Sequence, residues 1–115
     1  MERRQRLSRS RDFDAVYRHG RSASTRYLTV HWFPRPDDPE GPARLGLAVP
    51  RAVGNSVARN RVKRQLREAW RDAATGVEGR DFVLVARAGL AETADARGGE
   101  WLVEQVREAL ARVTP

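Results

Sequence analysis

The sequence predicts an α+β fold: a small mixed sheet with helices packed on it, in the order αββαβα. Three observations lead there. Two short stretches, Tyr27 to Phe33 and Arg44 to Val49, alternate apolar and polar or large and small side chains with the period of a half-buried strand. Two longer stretches repeat apolar residues with helical period, through Ala58, Val62, Leu66, Ala69, Trp70 and Ala73, and through Leu102, Val106, Ala109, Leu110 and Val113. Between them Phe82 to Ala86 is apolar on both faces, as an interior strand is. A chain of 115 residues suffices for one core without metal or disulfide support, so residues 1–115 read as a single domain.

Taken in order, residues 1–9 are polar and Arg-rich and read as a flexible basic arm. Ser10 is placed to cap a helix beginning near Arg11, with Asp12 and Asp14 at its positive end and Gly20 as terminator. Phe13, Val16 and Tyr17 give that helix an apolar stripe. In the first strand Leu28, Val30 and Trp32 face one way, and Thr29, His31 and Phe33 the other. Pro34, Pro36, Pro39, Gly41 and Pro42 mark a loop. In the next strand Leu45, Leu47 and Val49 oppose the small Gly46 and Ala48, whose side leaves room for a packed helix or a ligand, and Pro50 ends it. A long helix then runs from about Asn55 to Ala74, with Asn55 or Ser56 as cap and Gly76 beyond its end. Ala88 to Gly99 reads as a linker into the last helix, whose exposed residues are mixed in sign and suit packing.

The net charge of +7 is unevenly spread. Residues 51–71 carry seven basic groups and one acid, whereas residues 72–115 hold five basic and eight acidic groups. On the long helix Asn60, Arg64, Arg67 and Arg71 lie opposite the apolar stripe, with Lys63 at the edge. Like charges four apart on a helix cost a few tenths of a kcal/mol per pair, and a polyanion relieves that cost. Arginine suits planar, bidentate recognition of phosphate. The pattern therefore points to nucleic acid, with the acidic final third as a solvated side.

Other classes find little support. There is no cysteine, which excludes a disulfide scaffold and a thiolate metal site. The longest compact apolar run, Phe82 to Ala86, is far short of a membrane helix. No apolar segment follows the basic start, and Asp12 and Asp14 lie close to it, so a cytoplasmic protein is expected, with neither a membrane nor a small-molecule substrate as partner. His19 and His31, the two histidines, fall outside the basic helix. Asp12 and Asp14 diverge on a helix, and Asp37 and Asp38 sit in the proline-rich loop. Two-metal phosphodiester cleavage needs carboxylates converging on ions about 4 Å apart. No catalytic residue is expected in the protein, and metal positions stay open.

The run Gly54-Asn55-Ser56-Val57-Ala58-Arg59-Asn60-Arg61-Val62-Lys63-Arg64-Gln65-Leu66-Arg67-Glu68 closely resembles the signature of the bacterial ribonuclease P protein family. Arg6-Leu7, Asp12-Phe13, Val16-Tyr17 and Gly20 resemble its N-terminal helix, and Leu45 to Val49 the strand leading into the signature. The resemblance implies the ribosomal protein S5 domain 2-like fold. It also implies a left-handed βαβ crossover, where general sterics favour the right hand in about 98% of cases. It implies as partners a catalytic RNA, which hydrolyses precursor tRNA with Mg²⁺ as cofactor, and the precursor tRNA itself, whose 5′ leader is removed. By the same resemblance Arg59, Asn60, Arg61, Lys63, Arg64 and Arg67 would contact the catalytic RNA. Phe13, Tyr17, Thr29, His31 and Phe33 would form a groove in which leader bases stack, with His31 where the family has an aromatic. Asn55 and Ser56 would cap the helix and turn its positive end towards a phosphate. A general basic RNA binder of ribosomal or chaperone type is the alternative. A stand-alone metal-dependent ribonuclease is the enzymatic rival, and its carboxylate cluster is missing.

Overall fold

The computed structural model describes residues 5–113. Its elements are α1 (Ser10–His19), β1 (Arg21–Ser24), β2 (Leu28–Pro34), β3 (Arg44–Ala48), α2 (Ser56–Ala73), β4 (Arg80–Ala86), α3 (Leu90–Arg97) and α4 (Gly99–Val113), with a short 3-10 turn at Arg51–Val53 leading into α2. The four strands make one mixed sheet in the order β1-β2-β4-β3. β2 is antiparallel to β1 and to β4, and β3 is parallel to β4. β4 lies inside the sheet with both faces covered over most of its length, which is why Phe82 to Ala86 carries no polar residue.

The larger core lies on one face of the sheet. Leu28, Val30 and Trp32 of β2 and Phe82, Leu84 and Ala86 of β4 pack against Val62, Leu66, Ala69 and Trp70 of α2 and Leu102, Val106, Ala109 and Leu110 of α4. The other face is covered in part by α1, where Val16 joins Leu7 and Val83 in a smaller cluster. Gly46 explains how close α1 comes: a Cβ there would lie 2.6 Å from the Phe13 ring. The small side of β3 accommodates a packed helix. Gly20 serves the same docking at the helix's end, where any side chain would meet the Trp32 carbonyl oxygen.

Beneath the start of α1 lies a charged network. Arg44 donates from Nε and Nη2 to the two carboxylate oxygens of buried Asp81, both at 2.7 Å. Arg35 approaches the same carboxylate at 3.7 Å, and Asp12 of α1 approaches Arg44 at 3.5 Å. The hydrogen bond to Asp81 raises the Arg44 pKa further, so the guanidinium stays charged. Buried and doubly bonded, the pair ties β3 to β4 and, through Asp12, to α1.

Several local expectations change. Ser10 is the first helical residue rather than the cap: Arg9 occupies the cap position, and its side chain makes no capping bond. The strand expected from Tyr27 to Phe33 runs one residue later. β1 has no forewarning in the sequence, because Arg-Ser-Ala-Ser has neither β-branched nor aromatic residues, and it forms as an edge strand paired through its backbone to β2. The linker expected from Ala88 to Gly99 holds α3, whose inward residues are only Leu90 and Ala94, too few for periodicity to register. The order is therefore αβββαβαα. Of the expected arm, residues 1–4 lie outside the described residues. Arg6 and Leu7 do not hang free: Arg6 bridges to Leu45, the Leu7 amide donates to the Leu45 carbonyl at 2.9 Å, and the Leu7 side chain is buried. One leucine in a polar segment suffices to anchor it.

Candidate nucleic-acid interface

α2 begins where the Asn55 side chain accepts a hydrogen bond from the Ala58 amide at 2.9 Å. Asn55 is thus the cap, and Ser56 is the first helical residue, exposed beside it. Val62, Leu66, Ala69 and Trp70 point into the core, which leaves the opposite side for the cations. Asn60 and Arg64 are exposed, and Arg59, Lys63 and Arg67 are half-buried at the flanks. The Arg59 Nε is buried and has no acceptor among the described residues, so this guanidinium retains unmet donor capacity. Val57, on the first turn, is 76% exposed.

Arg61 is the exception on this face. Its Nη2 lies 3.1 Å from Asp95 of α3, and Gln65 donates to the same carboxylate at 3.3 Å. The acid that pairs with Arg61 comes from α3, a segment whose sequence reads as linker, and not from Glu68 or Asp72 of α2 itself. Both partners are about half exposed. Such a surface pair contributes about 0–1 kcal/mol and yields readily to a phosphate.

The second candidate region is the α1 side of the sheet. Cross-strand neighbours form three rows: Ser24, Thr29, Val85 and Ala48; Ser22, His31, Val83 and Gly46; and Phe33, Asp81 and Arg44. α1 lies obliquely over the last two. Asp12 reaches Arg44, Phe13 rests on Gly46, Tyr17 meets the His31 ring edge-on at 4.8 Å, and His19 lies 6.3 Å from Phe33. The first row is left open, bounded by Tyr17, which is 44% exposed.

The predicted groove residues thus separate. Tyr17, His31 and Thr29 line the edge and floor of the open strip, whereas Phe13 and Phe33 pack beside the small core under α1. Burial lowers the His31 pKa from its ordinary 6.5 and raises that of the Tyr17 phenol from 10.0, so near neutral pH both rings are uncharged stacking surfaces. The Thr29 hydroxyl is shared with Ser24 at 2.9 Å. Ala48 and Val85 complete the floor, and neither is among the residues that the sequence points to as a groove. The alternation of β3 does place Ala48 on the small side. Ser24 and Val85 give no signal, one lying in a strand without strand-forming residues and the other in a wholly apolar one.

The two regions meet at one end of the sheet. β3 leaves the open row at Ala48 and, after Pro50 and the 3-10 turn, the chain enters α2 at Ser56. Nearby, the Arg87 guanidinium donates to the Thr25 carbonyl at 2.5 Å and secures the β1–β2 turn to the end of β4. Among the described residues no three His, Asp or Glu side chains gather as a divalent-ion site. No helix formed by them is long and apolar enough to cross a membrane.

The family model for Ribonuclease P matches residues 1–113. The chain is 36% identical over 87 residues to the ribonuclease P protein component of Bacillus velezensis, covering 76% of this chain and 73% of that one. It is 39% identical over 90 residues to the component of Streptococcus thermophilus, covering 78% of each. Among solved structures, the RNase P protein of Thermotoga maritima superposes with a TM-score of 0.70 at 34% identity, over 95% of this chain and 94% of the other. That of Staphylococcus aureus gives 0.77 at 25% identity, over 96% and 98%. The mixed sheet, the capped basic helix and this likeness over nearly the whole length agree, and the chain belongs to the ribonuclease P protein family.

Proposed function

We propose that this protein is the RNA-binding subunit of a ribonuclease P ribonucleoprotein and assists an RNA catalyst in removing the 5′ leader from precursor tRNA. The observation that carries the reading is the outward face of α2, where Arg59, Asn60, Lys63, Arg64 and Arg67 meet no acid among the described residues and one Arg59 donor is orphaned. Such a face fits the phosphates of a folded RNA. Arg61 joins it by exchanging Asp95 for phosphate, and the capped start of α2 at Asn55 and Ser56 offers backbone amides to another.

The open strip suits the leader. A single strand lying along Thr29, Val85 and Ala48 stacks its bases on Tyr17 and His31. Phe13 lies one turn before Tyr17 on α1, the two ring centroids 6.4 Å apart, and Phe33 packs beside the same small core. The chemistry belongs to the RNA. The described residues do not fit a protein-held divalent ion, so Mg²⁺ sits with the RNA in this reading, and the protein offsets repulsion between two polyanions. The work is done in the cytoplasm.

Reconstitution tests the proposal. Purified protein alone should leave precursor tRNA intact, and adding the candidate RNA subunit at low Mg²⁺ should restore cleavage at the mature 5′ end. Cleavage by nuclease-checked, RNA-free protein would support the stand-alone enzyme instead.

A further inference from the structure

A second concentration of arginine lies away from the open strip, at the end of the sheet where β3 and β4 begin. A cavity of about 590 Å³ there is lined by Arg6, Arg9, Arg11, Arg35 and Arg44, against the carboxylates of Asp12 and Asp37. Arg44 is committed to Asp81 and Asp12, and Arg35 pairs weakly with Asp81 and Asp38. Arg6, Arg9 and Arg11 are exposed and form no ion pair among the described residues. Arg9 and Arg11 also sit at the positive end of α1, where cations are disfavoured. The arrangement raises the free energy of the isolated protein, and an anion placed in the cavity offsets it.

The same end of the sheet receives the last turns of α2. Arg67 and Arg71 border a cavity of about 300 Å³ whose wall includes Gln5, Pro42 and Ala43. Gln5 and Arg6 are adjacent, so the N-terminal segment lines one cavity with one residue and the other cavity with the next. The buried Leu7 and its backbone bond to Leu45 hold that segment along β3. Basic residues therefore pass from α2 round this side of the sheet to the start of α1.

We infer that this is one continuous track for the phosphodiester backbone of the RNA subunit, running from Arg67 and Arg71 across Arg6 to Arg9, Arg11 and Arg35. The inference rests on the reading of α2 as the RNA-subunit face. It adds that the bound RNA turns round the sheet to the α1 side, at the end opposite the open strip. The leader takes no part, because this cavity lies beneath the first turn of α1 and the strip lies beyond its far side.

The test measures affinity of the intact protein for the RNA subunit across a salt series. Three double variants are compared: Arg9→Ala with Arg11→Ala, Arg64→Ala with Arg67→Ala, and a charge-matched control, Arg97→Ala with Arg107→Ala, on α3 and α4. The first should weaken binding several-fold and flatten the log–log salt slope by about 0.7–0.9 for each phosphate no longer neutralised. The ratio of affinities for leader-bearing and leaderless tRNA should stay constant. Arg9 and Arg11 contribute only backbone hydrogen bonds to α1, so a thermal melt should show the fold intact. If wild type does not bind the RNA at all, the underlying reading falls. If Arg64/Arg67 matters and Arg9/Arg11 does not, or if the control weakens binding equally, the track alone is refuted. A loss confined to leader-bearing substrate would assign the cavity to the leader and equally overturn it.

Discussion

At the scale of single residues, two positions carry the sharpest expectations. His31 lies beneath Tyr17, and burial depresses its pKa below 6.5. The unfolded chain then binds a proton that the folded chain resists, so His31 contributes stability that is present above that value and lost as pH falls through it. Melting temperature should decline from pH 7 to pH 5.5, and His31→Gln should decline less. Equal slopes for the two proteins would mean that the imidazole is not shielded as described. Asp81 is the other case. Asp81→Asn leaves Arg44 and Arg35 without their shared carboxylate, and denaturant unfolding should show a loss on the order of 3 kcal/mol. The sequence does not reveal this residue, because Asp81 is remote from Arg44 in the chain and only the parallel pairing of β3 with β4 brings them together.

At the scale of elements, legibility follows the number of side chains each element buries. α2 and α4 bury four and five residues at helical spacing, and both are evident from period alone. β1 and α3 bury none and two, and both escape the sequence pattern, since pairing and docking made by the rest of the fold hold them in place. With α3 hidden, Asp95 is hidden too as the partner of Arg61. The rotation of α2 is directly measurable. Leu66→Ala should destabilise the fold by about 2–5 kcal/mol, because Leu66 is fully buried between sheet and helices. Arg64→Ala, exposed on the opposite face, should stay within about 0.5 kcal/mol of wild type. Similar losses for both would place the wrong face of the helix outward.

At the scale of the whole molecule, the sheet divides the labour. α2 and α4 cover one face, and α1 covers part of the other and leaves a strip open. The apolar patterns and the basic helix are readable from the sequence, and so is a small-sided strand awaiting a close neighbour. The strip is not, because it results from where α1 comes to rest, set by Gly46, Phe13 and the Arg44–Asp12 contact. Leader binding and RNA-subunit binding should consequently be separable. In the proposed reading, stacking on Tyr17 would act on bases with little dependence on salt, whereas the α2 guanidinium groups would act on phosphate through charge. The most direct measurement is the affinity of Tyr17→Ala and of the Arg64→Ala, Arg67→Ala double variant for the RNA subunit, and of the reconstituted complexes for leader-bearing and leaderless tRNA. Tyr17→Ala should weaken only the leader-bearing substrate, by about 1–3 kcal/mol, while the double variant weakens RNA-subunit binding and flattens its salt slope. An equal loss by Tyr17→Ala on both tRNAs would show that its ring only packs against His31, and the division of the two surfaces would be contradicted.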